Sequence, residues 1–367
     1  MTEQAIKPNR ILSIDALRGF DMLFIIFADR FFALLHKGGQ TPFTGFLANQ
    51  FSHPDWFGST FYDIIMPLFL FMVGAVIPFS LSKRMQGNTG KAQIYKKLFK
   101  RVLILFFLGW IVQGNLLALD INTFKIFSNT LQAIAVGYFF SCLAFIYLSR
   151  NGRYIMFAAC LIIYALILTV PNVPGVGQSV ILPDKNYALY FDHLVLGRFE
   201  DGYQYTWVLT GFGFIATTLS GLFAGELIKS TLPRKKVALY LLLAGIAGLA
   251  LGMIWGIWHP IVKKIWTSSF VLASSGVCFI LLAIFYWIID VKGKYKWAFM
   301  FKVIGMNAIT AYVLSHVISF PDIADFLMFG LEQYTGAYYG ALTTLGGFGL
   351  LYLILWYMYK NNTYIKI

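Results

Sequence analysis

The run STFYDIIMPLFLFMVGAVIPFSLS, residues 59–82, carries one charged side chain, Asp63. At 1.5 Å of rise per residue, a helix of this length crosses a hydrocarbon core about 30 Å thick. Similar stretches recur along the chain. The pattern predicts ten helices at 11–35, 59–82, 98–119, 126–148, 154–170, 207–229, 236–257, 266–290, 298–320 and 338–359. Pro171 and Pro174, Pro233 and Pro321 punctuate the ends of three of them. The expected fold is therefore an all-α, polytopic transmembrane bundle forming a single domain over 1–367, with one long outer loop at 171–206.

Composition agrees. Of 367 residues, 59% are hydrophobic and 12% charged, about half the charged share of a soluble domain. That balance excludes a soluble enzyme, a disordered chain and a disulfide-stapled secreted module. Cys142, Cys160 and Cys278 all fall in apolar stretches, and they form neither a disulfide framework nor a metal motif. The polar segment Met1 to Arg10 leads directly into the first span, without a cleavable-signal pattern.

The net charge of +13 is concentrated in short loops, which argues for membrane topology and against nucleic acid. With the N-terminus inside, the inner segments hold 21 of the 29 Lys and Arg residues and the outer segments six. Such a bias places both termini in the cytoplasm and favours an even number of spans. All five histidines then fall at the outer face, with most loop acids. The inner face is cationic, suited to an anionic cytoplasmic ligand or to anionic lipid.

Ionisable residues within the first helix need a protein-facing or wet surface. At 100° per residue, Asp15, Arg18, Asp21 and Asp29 fall within a 120° arc. Asp15 and Arg18 fit either a packing ion pair or a functional one. The second helix is entered from outside through His53 to Gly74. Ser59 or Thr60 is expected to cap it, which puts Asp63 in the first turn. A carboxylate there can take the proton of one imidazole nitrogen of His53 and leave the other as a base or nucleophile. The alternative for His53 is an interfacial surface residue. Asp192-His193, in the long outer loop, fits a cover over a site or plain surface structure. His259, with Trp255, Trp258, Lys263 and Lys264, reads as an interfacial belt. Asn307 and His316 are 900° apart on a continuous helix, hence on opposite faces. The glycines at 211, 213, 221, 225, 346, 347 and 349 are expected to allow close helix packing.

Several of these motifs resemble the heparan-α-glucosaminide N-acetyltransferase family and bacterial relatives that share its SxDxxRG opening. They are Ser13-Ile-Asp15-Ala-Leu-Arg18-Gly19, Leu131-Gln132, Asp290-Val-Lys292-Gly293 and Gly305-Met306-Asn307. The most specific is His53, Trp56, Gly58, Asp63, Pro67, Phe69, Phe71 and Gly74 at the family's spacing. The resemblance covers Arg10 to Lys360. It implies transfer of an acetyl group from cytoplasmic acetyl-CoA, without a metal, to an amino sugar or glycan across the bilayer. His53 would be base or nucleophile and Asp63 its partner. Asp29, at the outer end of the first helix, would be a third catalytic residue. Arg18, Arg101, Gln132 and Asn307 would serve the CoA side. Three departures lie near this site: Asp29 replaces the family's asparagine, Phe57 replaces asparagine, and Ala133 replaces arginine. The expected setting is a bacterial cytoplasmic membrane, with the lipid bilayer as partner, no nucleic acid, and a homodimer left open. The rival reading is a transporter for amino sugars or oligosaccharides. A third is a relative that binds acyl-CoA without turnover.

Overall fold

In a computed structural model, the described residues are 11–86, 90–114, 116, 118–201 and 205–365. Lys7, Arg10 and Lys366 of the charge count lie outside them. The chain forms helices α1 (Leu12–Leu23), α2 (Asp29–Gly39), α3 (Pro42–Gln50), α4 (Ile65–Gln86), α5 (Lys91–Gln113) and α6 (Thr130–Tyr147). They are followed by α7 (Arg150–Thr169), α8 (Tyr187–Leu196), α9 (Gly211–Lys229), α10 (Arg234–Trp255) and α11 (Ser268–Tyr286). The last are α12 (Phe299–Met306), α13 (Ala308–Val317), α14 (Phe320–Met328), α15 (Glu332–Thr335) and α16 (Tyr339–Lys360). A two-stranded hairpin, Asn172–Val173 with Gly177–Gln178, is the one sheet among the described residues.

Among the described residues, seven helical stretches are long and apolar enough to cross a membrane, or eight if the bent pair α12–α13 is one span. The protein is thus an integral membrane protein with fewer clearly apolar spans than the ten expected. The first and third expected spans are helical but heavily charged. Asp15, Arg18, Asp21, Asp29 and Arg30 lie along α1 and α2. Lys91, Lys96, Lys97, Lys100 and Arg101 lie in the first half of α5, where a loop was expected. The expected ninth helix is broken: α12 and α13 meet at Asn307 with a 66° bend.

Capping sets several boundaries. Asn129, Ser149 and Asn186 each accept a backbone N–H in the first turn of α6, α7 and α8. A π-helical turn, Phe24–Ala28, joins α1 to α2. One residue more per turn shifts the phase, so a uniform 100° step does not carry across it. Asp15 and Asp21 are buried, while Asp29, beyond the turn, is exposed.

Close helix crossings rest on glycine. A Cβ on Gly221 would overlap the Phe71 carbonyl, and one on Gly225 the Ala75 carbonyl, where α9 crosses α4. Gly213, Gly346 and Gly347 also sit against neighbours, as expected, whereas Gly349 faces open space.

Two distinct ends emerge. At one, the Arg153 guanidinium donates to Glu226 at 2.5 Å and Arg234 donates to the Asp290 carbonyl at 3.0 Å. Asp290 also accepts the Ser13 amide at 3.2 Å, which caps α1. Lys302 reaches the Tyr359 hydroxyl at 3.1 Å. These contacts join the segments assigned to the cationic face. At the other end, the α3–α4, α5–α6, α8–α9 and α10–α11 connections meet α2 and the end of α13 around one cavity.

Candidate active site

The cavity encloses about 610 Å³. Asp29, His53, Tyr62, Asp201, Trp207 and Lys263 are among its lining residues. His53 comes from the α3–α4 connection, and Asp63 from the 3-10 turn Tyr62–Ile64 that starts α4. His53 Nδ1 donates to Asp63 Oδ1 at 2.6 Å. An ionised carboxylate only accepts, so the shared proton sits on Nδ1, and in the neutral ring Nε2 is then the basic nitrogen.

Asp63 is fully buried and well partnered. Its Oδ2 accepts the Thr60 amide at 3.0 Å and the Thr60 hydroxyl at 3.4 Å. Lys263 Nζ lies 3.2 Å from its Oδ1. The expected cap is therefore reversed: the side chain of Asp63 holds the Thr60 amide, while the Thr60 hydroxyl donates to the Ser52 carbonyl at 2.7 Å.

The residues of this segment divide by role. Trp56 is buried and donates to the Ile181 carbonyl at 3.1 Å, tying the long outer loop to the site. Gly58 sits at φ +92°, where a side chain is strained. Its amide donates to the Ile261 carbonyl at 2.9 Å, and it forms a parallel bridge with Val262. That bridge brings Lys263 beside His53. The loop is braced further by the Thr267 hydroxyl, which donates to the Pro260 carbonyl at 2.9 Å and accepts the Val262 amide at 3.1 Å. Trp266, buried at φ +49°, is a strained residue at the cavity wall.

Lys263 is the cavity-lining residue beside His53 that the belt reading passes over. Its side chain is 11% exposed, and burial pushes its ammonium below the ordinary lysine value against the opposing pull of Asp63. The only hint in sequence was a pair of lysines in a short connection next to His259-Pro260.

His259 is 3% exposed and its Nε2 has no partner, so it is a core residue and not part of a belt. Burial lowers its pKa to about 4. A histidine depressed in this way contributes stability that is complete above its unfolded pKa near 6.5 and lost as pH falls through about 4. The difference is worth roughly 3 kcal/mol. Thermal unfolding in detergent should show this loss between pH 6.5 and 4, and His259→Phe should flatten it. An unchanged acid profile in that variant would show that His259 takes up its proton alike in the folded and unfolded states.

The long outer loop supplies part of the wall. Asp192 is buried and accepts the Trp207 amide at 2.6 Å and the Val208 amide at 3.1 Å. Burial raises it to about 6 against those two hydrogen bonds. Asp201 accepts Trp207 Nε1 at 3.2 Å, and burial raises its pKa too. His193 pairs with Glu200. These bonds fasten the strand of chain that presents Tyr205 to Trp207 to the cavity.

Of the seven sequence candidates, Asp29 and His53 line the cavity and Asp63 lies directly behind His53. Tyr62 lines the cavity with Asp29, and its ring centroid is 5.0 Å from that of His53. Gln132 is fully buried below the wall, with its oxygen accepting the Ser128 amide at 2.7 Å and its nitrogen donating to the Ile126 carbonyl at 2.9 Å. Asn307 is committed to the C-terminal tail, donating to the Thr363 carbonyl and accepting the Ile365 amide, both at 3.3 Å. Because the helix breaks there, the 900° argument does not apply, although His316 alone of the two lines the cavity. Arg18 lies 4.0 Å from Asp15 near the start of α1. Arg101 stacks over Tyr138 at 4.1 Å and has a buried Nε without a hydrogen-bond partner among the described residues. The SxDxxRG and Gly-Met-Asn motifs meet where α1 crosses α12. A Cβ on Gly19 would overlap the Phe301 carbonyl, and one on Gly305 the Asp15 carbonyl.

Comparison with known proteins places these motifs in context. Residues 10–115 match a family model described as Domain of unknown function (DUF5009). The chain is 24% identical to Heparan-alpha-glucosaminide N-acetyltransferase of Homo sapiens, over 83% of this chain and 52% of that protein. It is also 24% identical to the Mus musculus protein of the same name, over 84% of this chain and 53% of that one. The resemblance read from the motifs therefore holds across most of the chain, which spans about half the length of the curated relatives it matches.

Proposed function

From its kinship with the heparan-α-glucosaminide N-acetyltransferases, we propose that the chain is a membrane acetyltransferase. It takes acetyl from acetyl-CoA at the cationic end and gives it to an amine, of amino-sugar or glycan type, at the cavity end. The observation that carries this reading is the 2.6 Å His53–Asp63 pair on a cavity opposite the cationic segments. In the direct route, Nε2 of His53 accepts a proton from the acceptor amine as its nitrogen attacks the thioester carbon. The C–N bond forms, the C–S bond breaks, and the imidazolium returns the proton to the CoA thiolate. In the two-step route, Nε2 attacks the thioester carbon and the C–S bond breaks to release the CoA thiolate. The amine then attacks the acetyl carbon, the bond from that carbon to Nε2 breaks, and the amine proton passes by way of the freed Nε2 to the thiolate.

The proposal includes ten crossings, with α1–α2 and α5 completing the bundle, both termini cytoplasmic, and a bacterial cytoplasmic membrane as the setting. On the CoA side, Arg101 is the favoured residue because its buried Nε lacks a partner. Gln132 and Asn307 are better placed as scaffold, since their amides are already spent. Arg18 stays as a second CoA-side residue at the same end. Asp29, an acceptor beside Tyr62, suits an acceptor molecule that arrives as an ammonium.

The test uses proteoliposomes with radiolabelled acetyl-CoA on the side of the basic segments and glucosamine on the other. Labelled N-acetylglucosamine on the acceptor side is the expected product. Glucosamine uptake that needs no acetyl-CoA would replace this reading with the transporter.

A further inference from the structure

Lys263 enters the site from a different element than either member of the pair, and it touches both. Its Nζ is 3.2 Å from Asp63 Oδ1, 3.3 Å from His53 Nδ1 and 3.4 Å from His53 Nε2. Near-equal distances to the two ring nitrogens put the ammonium in line with neither, and Nδ1 already gives its proton to Asp63. The contact with the ring is therefore one of charge, while the bond to Asp63 holds the ammonium in place.

We infer that Lys263 is a positioning residue for His53: its ammonium, locked on Asp63, keeps the imidazole neutral with Nε2 open and so carries activity toward acid pH. The inference rests on the acetyl-transfer reading for its activity arm alone. With Asp63 ionised and Lys263 charged, the trio is neutral when His53 is neutral. A second proton on the ring would add a positive charge 3.3 Å from an ammonium that is almost shut off from water. Asp63 favours that proton and Lys263 opposes it, so removing Lys263 tips the balance.

Other charged or titratable groups face the ring across the cavity. Tyr62 comes from the same turn as Asp63, Lys264 from the Lys263 loop, and Asp29 from α2. Asp201 and Tyr205 come from the outer loop, and His316 from α13. Among the described residues, only Lys263 lies within hydrogen-bonding distance of both the ring and Asp63.

The readout is carbethoxylation of His53 by diethyl pyrocarbonate, which attacks only the neutral imidazole, followed by peptide mass mapping across a pH series. In Lys263→Met and Lys263→Gln the midpoint of His53 reactivity should move to higher pH by about one unit, a tenfold change in the proton equilibrium. Lys263→Arg should return it to the wild-type position. The acid limb of acetyl transfer should move in parallel. A merely structural lysine would lower the rate at every pH and leave both midpoints in place, which would overturn the inference. Failure of both neutral variants to fold would assign Lys263 to the scaffold and overturn it as well. A shifted midpoint without any acetyl transfer would keep Lys263 in this role and sink the enzyme reading. Transfer with an unmoved midpoint would do the reverse.

Discussion

Changing Asp63 to asparagine is expected to cost as much activity as deleting the His53 ring. Asparagine keeps the size of the side chain but brings an amide NH₂ that donates. Facing Nδ1, it stabilises the tautomer with the proton on Nε2, and the atom that must accept a proton or attack the thioester is then blocked. Losing the correct tautomer in a comparable histidine–carboxylate pair costs about 10⁴ in turnover. His53→Ala removes the base or nucleophile itself, with an expected loss of at least 10³-fold, on the order of 4 kcal/mol of barrier. His53→Ala should remain folded, because His53 is partly open to the cavity. Asp63→Asn, by contrast, strips the buried Lys263 ammonium of its counter-ion and is expected to lose stability too, so its rate is read on the folded fraction. Initial rates of labelled acetyl transfer measure the effect, with size-exclusion profiles as the check on folding. If His53→Ala kept a tenth of the wild-type rate, the pair would have no part in the chemistry.

Much of the site was legible because its parts lie close together in the chain. His53 and Asp63 are ten residues apart, and Thr60 between them, bonded to Asp63 and to the Ser52 carbonyl, fixes the geometry. Asp29 was harder: the π-helical turn Phe24–Ala28 alters the phase that would place it on the face of Asp15 and Asp21. Lys263 was missed because nothing local marks it. Its position depends on the bridge between Gly58 and Val262, a contact between residues some two hundred apart. His259 was misread for a related reason. Its tryptophan neighbours suggested an interface, but the turn after α10 folds it inward, while Ile257 and Trp258 remain exposed.

The fold shows the same division. Apolar length found the helices, since a bilayer demands it of every span. It did not find the break at Asn307, where no proline or glycine follows the residue, and it placed the start of α5 too late because basic residues were taken as loop. Charged helix starts at a membrane face look like loops to any hydropathy reading, since the lysine stems snorkel while the backbone stays helical. The motifs meanwhile mixed two kinds of constraint that spacing alone cannot separate. His53 and Asp63 are the residues proposed to carry chemistry, whereas Gly19, Gly305 and Asp290 hold α1 in place.

The second large effect is expected at that crossing. Gly19 and Gly305 face each other, and each presses on the backbone of the opposite helix: Gly19 on Phe301 and Gly305 on Asp15. Backbone carbonyls cannot rotate away as side-chain tips do, so any Cβ must push α1 and α12 apart. Helices in a bilayer associate through van der Waals fit and not through a hydrophobic drive, so separation removes the contact energy outright. Gly19→Leu should therefore cost more than about 4 kcal/mol, in the range where single substitutions abolish folding. It should also displace the helix that carries Asp29 to the cavity, so that acetyl transfer is lost together with stability. Gly349→Ala supplies the contrast. No atom lies within 4 Å of a Cβ there, and replacing a helical glycine by alanine should hold or raise stability by up to about 1 kcal/mol. Melting of the detergent-solubilised protein, followed by size-exclusion chromatography, reads both variants. A Gly19→Leu protein that melted with the wild type would mean that the two backbones do not touch.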